Sequence, residues 1–225
     1  MLSIRFYGHK IGLFHWISQK ELLHSKCLKM TRHLYTKITK RFMSKEIIVL
    51  DIETTGLEPK EDLILELGMV KLNLETGEIS ELFDKVFKDP KLTAKHREAW
   101  IFQNGYMELE EVRNAEPISK YAGDIQGIMN DYQGLITAWN RAFDSAFLEH
   151  AGFNLGAPLD CPMKKSVDYF KIEGPFGYKW PKAQEAWDIL FPETPKTELH
   201  RGLDDSKMEA KIIHELYKRG QYNPF

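Results

Sequence analysis

Three short segments of this 225-residue chain hold residues whose types and spacing could do chemistry. Asp51 and Glu53 stand two apart at the end of the apolar run Ile47-Ile48-Val49-Leu50. Side chains of a strand alternate between its faces, so both carboxylates project the same way. Two unit charges ~4 Å apart repel by about 4 kcal/mol at an effective dielectric near 20, and a bound cation relieves that repulsion. Taken alone, the pair also reads as two solvated acids at a strand end. A third acid, Asp144, closes the run Trp139-Asn140-Arg141-Ala142-Phe143-Asp144 at a strand-to-helix junction. An ordinary helix cap is the competing reading there. The last segment is His200-Arg201-Gly202-Leu203-Asp204-Asp205. Five residues of regular helix rotate by about 500°, which leaves His200 and Asp205 ~140° apart. They serve one site only if His200 lies on the loop entering a helix and Asp205 in its first turn, with Gly202 giving that loop freedom. A surface histidine and acids favoured at a helix N-terminus are the plainer readings, and Asp204 keeps the latter. Oxygen ligands suit hard cations such as Mg²⁺ or Mn²⁺, and no Cys or His cluster points to zinc.

The elements that must position these residues follow from periodicity. Ile47–Leu50 is the continuous apolar run of a strand buried on both faces. Residues 63–72 and 81–87 read as two more strands, antiparallel across the turn dipeptide Thr76-Gly77. Helical patterns cover 94–102 and 118–132, a buried strand covers 134–139, and a helix covers 142–150. Pro181 suits the first turn of a helix reaching Leu190 or Phe191. The last helix spans about 203–218, with Met208, Ile212, Ile213 and Leu216 on one face. A three-stranded meander followed by alternating helices and strands predicts an α/β domain with a mixed sheet flanked by helices.

The three motifs occur in order, with Asp144 93 residues after Asp51 and Asp205 61 residues after Asp144. An Asp-x-Glu strand end, an Asn-x-x-Phe-Asp junction and a His-x₄-Asp helix entry in that order resemble the DEDDh branch of the 3′–5′ exonucleases. That branch includes the proofreading epsilon subunit of bacterial DNA polymerase III, RNase T and oligoribonuclease. The resemblance spans about residues 46–218. It implies a ribonuclease H-like fold in which Asp51, Glu53, Asp144 and Asp205 hold two Mg²⁺ ions, or Mn²⁺ in their place, with Asp51 bridging. Two such ions ~3.5–4 Å apart can clamp the attacking and leaving oxygens of an in-line displacement. His200, with an ordinary pKa near 6.5, is suited to take the proton of the attacking water. The resemblance also puts Thr54 and Leu57 against the terminal nucleotide and Asn140 near the substrate backbone; an ordinary core position is the other reading of Leu57. The segment Trp100-Ile101-Phe102-Gln103-Asn104-Gly105-Tyr106-Met107 is similar to the family's His-Gly-Ile segment, with Tyr106 on the substrate side and Asn104 in place of the usual His. Gly202 replaces the commoner Ala of the third motif. Tyr169, Phe170, Phe176, Tyr178 and Trp180, with Lys171 and Lys179 among them, form an aromatic segment. Stacking on nucleic-acid bases is worth ~1–3 kcal/mol per base. Core packing is the more frequent use of such clusters.

Composition bounds the rest. With 43% hydrophobic and 12% aromatic residues the chain supports one packed domain, expected over 45–225. It contains no apolar stretch near the ~20 residues of a membrane span. Cys27 and Cys161 form neither a metal nor a redox pair, so a reducing, cytoplasmic setting is the default. The net charge of −2 divides unevenly: residues 1–44 hold nine Lys or Arg against Glu21 alone, leaving about −10 on the rest. That basic extension reads as a weakly ordered tail behind an upstream start, a leader that leaves mitochondrial import open, or an arm on a nucleic-acid backbone. The expected partner is a nucleic acid with a 3′ end, single-stranded DNA ahead of RNA, with a polymerase or a second copy of the chain as further candidates. RNA trimming and a catalytically dead nucleic-acid-binding relative are the alternative functions; the latter should lack a ligand, whereas all five key residues are present.

Overall fold

The computed structural model describes residues 44–157 and 159–225. The readings of the basic N-terminal segment, and Cys27, therefore fall outside the described residues, Ser44 apart. Strand β1 (Glu46–Thr54) pairs antiparallel with β2 (Ile64–Asn73), and β2 pairs antiparallel with β3 (Ile79–Lys88). The β2–β3 turn closes at Gly77, whose φ of +75° is costly for any residue with a Cβ. Two short strands complete the sheet: β4 (Glu116–Pro117) runs parallel to β3, and β5 (Ile136–Thr137) parallel to β1. The order β4-β3-β2-β1-β5 is the expected mixed sheet. Ile47, Ile48, Val49, Leu50 and Ile52 are all buried, as a central strand covered on both faces requires.

The longer helices are α1 (Ala122–Asp131), α2 (Arg141–His150), α3 (Ala183–Leu190) and α4 (Gly202–Lys218). Met208, Ile212, Ile213 and Leu216 bury the expected face of α4, which packs on β2 and β1. Burial of such side chains contributes about 1.5–3 kcal/mol each. No helix among the described residues is long and apolar enough to cross a membrane.

The start of α4 sits against the sheet without side chains between them. A Cβ on Gly68 would lie 2.1 Å from the Gly202 carbonyl carbon, and one on Gly202 would lie 2.7 Å from the Gly68 nitrogen. Gly202 is thus the first residue of α4 and buried, not part of a mobile loop as expected. Gly68→Ala should lower stability by about 3 kcal/mol, the upper end of overpacking costs, because the obstacle is backbone. Urea denaturation checks this; an unchanged midpoint would show that helix and sheet separate easily.

Other expectations shift for physical reasons. The helix expected over 94–102 is a 3₁₀ turn (Ala94–Glu98) and a single α turn (Trp100–Gln103), divided at Ala99 by extended backbone (φ −60°, ψ 138°). The first of these turns buries nothing, so no core face holds a longer helix. The strand expected over 134–139 shrinks to β5, because the Trp139 N–H is donated to the Glu209 carboxylate (3.1 Å) instead of a neighbouring strand. Pro181 precedes α3: Lys182 is the capping residue, and the Pro181 carbonyl accepts the Trp139 indole N–H (2.9 Å). The helix expected from 118 opens as a 3₁₀ turn, Ile118–Lys120. Unanticipated elements are a helix at Leu109–Asn114, β4, the short helices Pro162–Lys165 and Val167–Phe170, and a small hairpin of β6 (Glu173–Gly174) and β7 (Gly177–Tyr178).

Candidate active site

Three elements deliver the acids. Asp51 and Glu53 lie near the end of β1, opposite Gly68 and Glu66 of β2. Asp144 enters from the first turn of α2 and is buried. Its Oδ1 accepts the N–H of Ile52 (3.3 Å), which holds it against the segment between Asp51 and Glu53. It is therefore not the cap of α2: Asn140 holds that position, exposed and without a side-chain capping bond. Asp205 enters from the first turn of α4, and its carboxylate accepts the N–H groups of Leu199 (3.2 Å) and Arg201 (2.9 Å).

Those two bonds fold the chain around His200, which adopts a left-handed backbone (φ +52°). Such a conformation costs a non-glycine residue of order 1–3 kcal/mol and persists only where the surroundings impose it. Arg201 adds a second anchor. Its guanidinium bonds Glu66 (2.9 Å) and Glu111 (2.8 Å), tying the loop to β2 and to the Leu109–Asn114 helix. The His200 ring stands edge-on to Tyr106 (4.3 Å between centroids) and Trp100 (4.7 Å). The helix break at Ala99 is what brings Trp100 there.

Ligand atoms of Glu53, His200 and Asp205 lie within 4.8 Å of one another. Asp51 and Asp144 stand outside that trio yet share its field. Burial first, then the charges of Glu209, Glu53, Asp144 and Asp205, raises the Asp51 carboxyl well above the usual range. Burial, followed by Asp205, Glu66, Glu198 and Asp144, pushes Glu53 to about 9. Burial lifts Asp144 to about 7 against two backbone hydrogen bonds, and raises Asp205 as well. Burial lowers His200, opposed by the Asp205 charge. The nearby cation, Arg201, is bonded to acids outside this group. The site is an anionic, oxygen-rich cluster with one imidazole, the donor chemistry of hard divalent cations.

Two more acids belong to this field. Glu209 is fully buried, and Glu198, pushed to about 7 by burial and then by Asp205, precedes His200 by two residues. Glu209 follows Asp205 by four positions, the spacing that shares a helix face, so it was open to sequence reading. Among the expected substrate residues, Tyr106 flanks His200. Thr54 is half-buried, its hydroxyl donating to the Gly56 carbonyl (2.6 Å). Leu57 is 77% exposed, which corrects its reading as a core residue. Asn104 turns its amide to the Trp100 carbonyl (2.8 Å), away from the role of the histidine it replaces. Asp204 pairs with Lys196 (2.7 Å) and stays structural.

An exonuclease family model (RNase T) matches residues 48–213. The chain belongs to this family. The order of its acids and histidine resembles that of the DEDDh branch. A DNA polymerase III PolC-type of Clostridium perfringens is 28% identical over 183 residues, 77% of this chain and 11% of that protein. The 3′–5′ exonuclease DinG of Bacillus subtilis is 27% identical over 191 residues, 81% of this chain and 19% of that protein. The chain thus spans only a fraction of the length of these relatives. Among solved structures, E. coli Exonuclease I in complex with a dT13 oligonucleotide shares the fold at a TM-score of 0.61 and 13% identity, over 78% of this chain and 41% of that one. The cell-death related nuclease CRN-4 does so at 0.57 and 14%, over 78% and 64%. The sheet and its helices are ribonuclease H-like.

Proposed function

We propose that this exonuclease-family chain hydrolyses phosphodiester bonds stepwise from 3′ ends of DNA, with two divalent cations and a histidine base. The cluster of Glu53, Asp205 and His200, with buried Asp51 and Asp144 in its electrostatic field, is the observation that carries this reading. The four carboxylates would hold the ions, which supply Lewis acidity and an acidified water. Four carboxylates and two dications balance, so the pocket can then accept an anionic phosphodiester. Asp205 shapes the loop that presents His200, and Tyr106 and Trp100 restrict the ring to a narrow range of orientations. A neutral ring nitrogen of His200 takes the proton of the attacking water. Thr54 and Leu57 line the terminal nucleotide and Asn140 lies near the substrate backbone; the exposure of Leu57 leaves its side chain available for such a contact. DNA is favoured over RNA because the PolC-type relatives carry DNA polymerase in their name.

The test presents 5′-labelled single-stranded DNA, duplex DNA, RNA and a dinucleotide to the protein with Mg²⁺ or Mn²⁺, then with a chelator. A ladder shortening from the 3′ end of DNA, lost on chelation, is expected. Cleavage that survives chelation would overturn the metal-dependent reading, and faster loss of RNA would overturn the DNA preference.

The acidic pocket also ties stability to pH. Glu53, Asp144 and Glu198 hold protons in the folded state to about 9, 7 and 7, far above their ordinary values of 4.5, 3.8 and 4.5. Groups whose folded pKa is raised contribute stability that is complete below the unfolded pKa and lost as pH rises through the folded one. The metal-free Tm should therefore fall as pH rises from about 4 towards about 9. Mg²⁺ or Mn²⁺ should raise it, most at the alkaline end, because the ions take the place of those protons. Calorimetry with and without metal checks both signs.

A further inference from the structure

We infer that the β6–β7 hairpin is a stacking surface for bases of the single strand leading to the 3′ end, an inference that rests on the exonuclease reading above. Core packing accounts for Phe170, which is buried, and for Tyr169, which packs against the core, but not for the other three aromatics of the segment. Phe176, at the hairpin turn, is fully exposed at 103%, Tyr178 is 46% exposed and Trp180 is 59% exposed. None of the three belongs to either hydrophobic cluster, so the fold does not need them. All three line one open surface depression formed by residues 174–180.

The hairpin is firmly placed. The Lys179 N–H bonds the Ile172 carbonyl (2.9 Å). The next peptide but one is held by the Trp139 indole at the Pro181 carbonyl. Trp139 immediately precedes Asn140 and α2, the elements that carry Asp144. The hairpin then leads into Lys182, the capping residue of α3. The aromatic surface is thereby tied, through Trp139, to the segment that carries Asp144.

Charge selects the occupant. From Lys164 to Lys182 the chain carries five lysines against Asp168 and Glu173; Lys165 and Lys179 pair with Asp160 and Glu185, which leaves Lys164, Lys171 and Lys182 outside those pairs. The Lys164 ammonium sits 4.9 Å from the centre of the Trp180 ring. Aromatic faces interleaved with cations suit a polyanion with flat bases, and stacking on them tolerates any sequence. A purely apolar protein partner would leave these lysines to be desolvated.

The test compares wild type with Phe176→Ala, Tyr178→Ala and Phe176→Ala/Tyr178→Ala on two substrates. One is a thymidylate oligomer about 15 nucleotides long, near the upper site size of single-strand binders. The other is the p-nitrophenyl ester of thymidine 5′-phosphate, which has no upstream bases. KM for the oligomer should rise by roughly 5-fold per residue removed, and by more in the double variant. Values of kcat/KM for the ester should not change. Anisotropy of the labelled oligomer, in chelator and without turnover, should show the same loss of affinity. Equal oligomer KM and affinity in all variants would overturn the inference. So would a wild-type dimer that the variants turn to monomer, which would make the hairpin a self-association surface. If wild type cleaves neither substrate, the exonuclease reading fails instead, and the anisotropy still decides the hairpin.

Discussion

Asp51→Asn is expected to give a folded protein that is more heat-stable than wild type without metal and nearly inert as a nuclease. Asp51 is raised by burial and by four neighbouring acids, so its ionised form is strongly opposed. Asparagine keeps the shape and removes that charge, which relieves repulsion in the metal-free state. The same charge is what Asp51 would offer to divalent cations held at this site. Metal polarisation is worth several kcal/mol in the transition state. At 1.36 kcal/mol per decade, its loss slows turnover on the order of 10³-fold. Opposite signs in the two measurements are the signature: Tm without metal rises, while the response of Tm to Mn²⁺ shrinks and turnover collapses. A variant that loses both stability and activity would make Asp51 a structural residue.

His200→Ala should cut kcat by about 10²–10⁴-fold, the range of a positioned general base, with little change in metal affinity. The pH profile carries more information than the rate. A base works when neutral, so activity should rise with pH through the folded pKa of His200. Burial lowers that pKa below the ordinary 6.5, so the rise should lie on the acid side of it, with a plateau by neutrality. The variant should lose this rise. A wild-type profile that is flat through the acid range, or that rises only above neutrality, would remove His200 from proton transfer. Tyr106→Ala is the useful comparison, since it leaves the imidazole in place but frees one side of its bracket.

Much of this arrangement was legible in the chain before any coordinates. Strands β1 to β3 and helix α4 announce themselves by long, regular apolar patterns, and the acids sit at the ends of those patterns. The hidden parts depend on contacts far apart in sequence. Nothing local marks Trp100 and Tyr106 as neighbours of His200, or Arg201 as a clamp between Glu66 and Glu111. Strands of two residues, such as β4 and those of the hairpin, are too short for a period to show. The helix break at Ala99 reflects the absence of a buried face over Ala94–Glu98. Gly202 was misread because a glycine at a helix start signals freedom as readily as close packing, and only its neighbour, Gly68, decides between them.

That pair of glycines has a wider meaning for how the enzyme tolerates change. Two main chains in direct contact act as an index mark: the helix cannot be nudged along the strand by repacking some distant side chain. The separation between the acids of β1 and Asp205 is thereby decoupled from the quality of the hydrophobic interior. Substitutions deep in the interior can drain stability while cation affinity stays the same, until the whole domain unfolds at once.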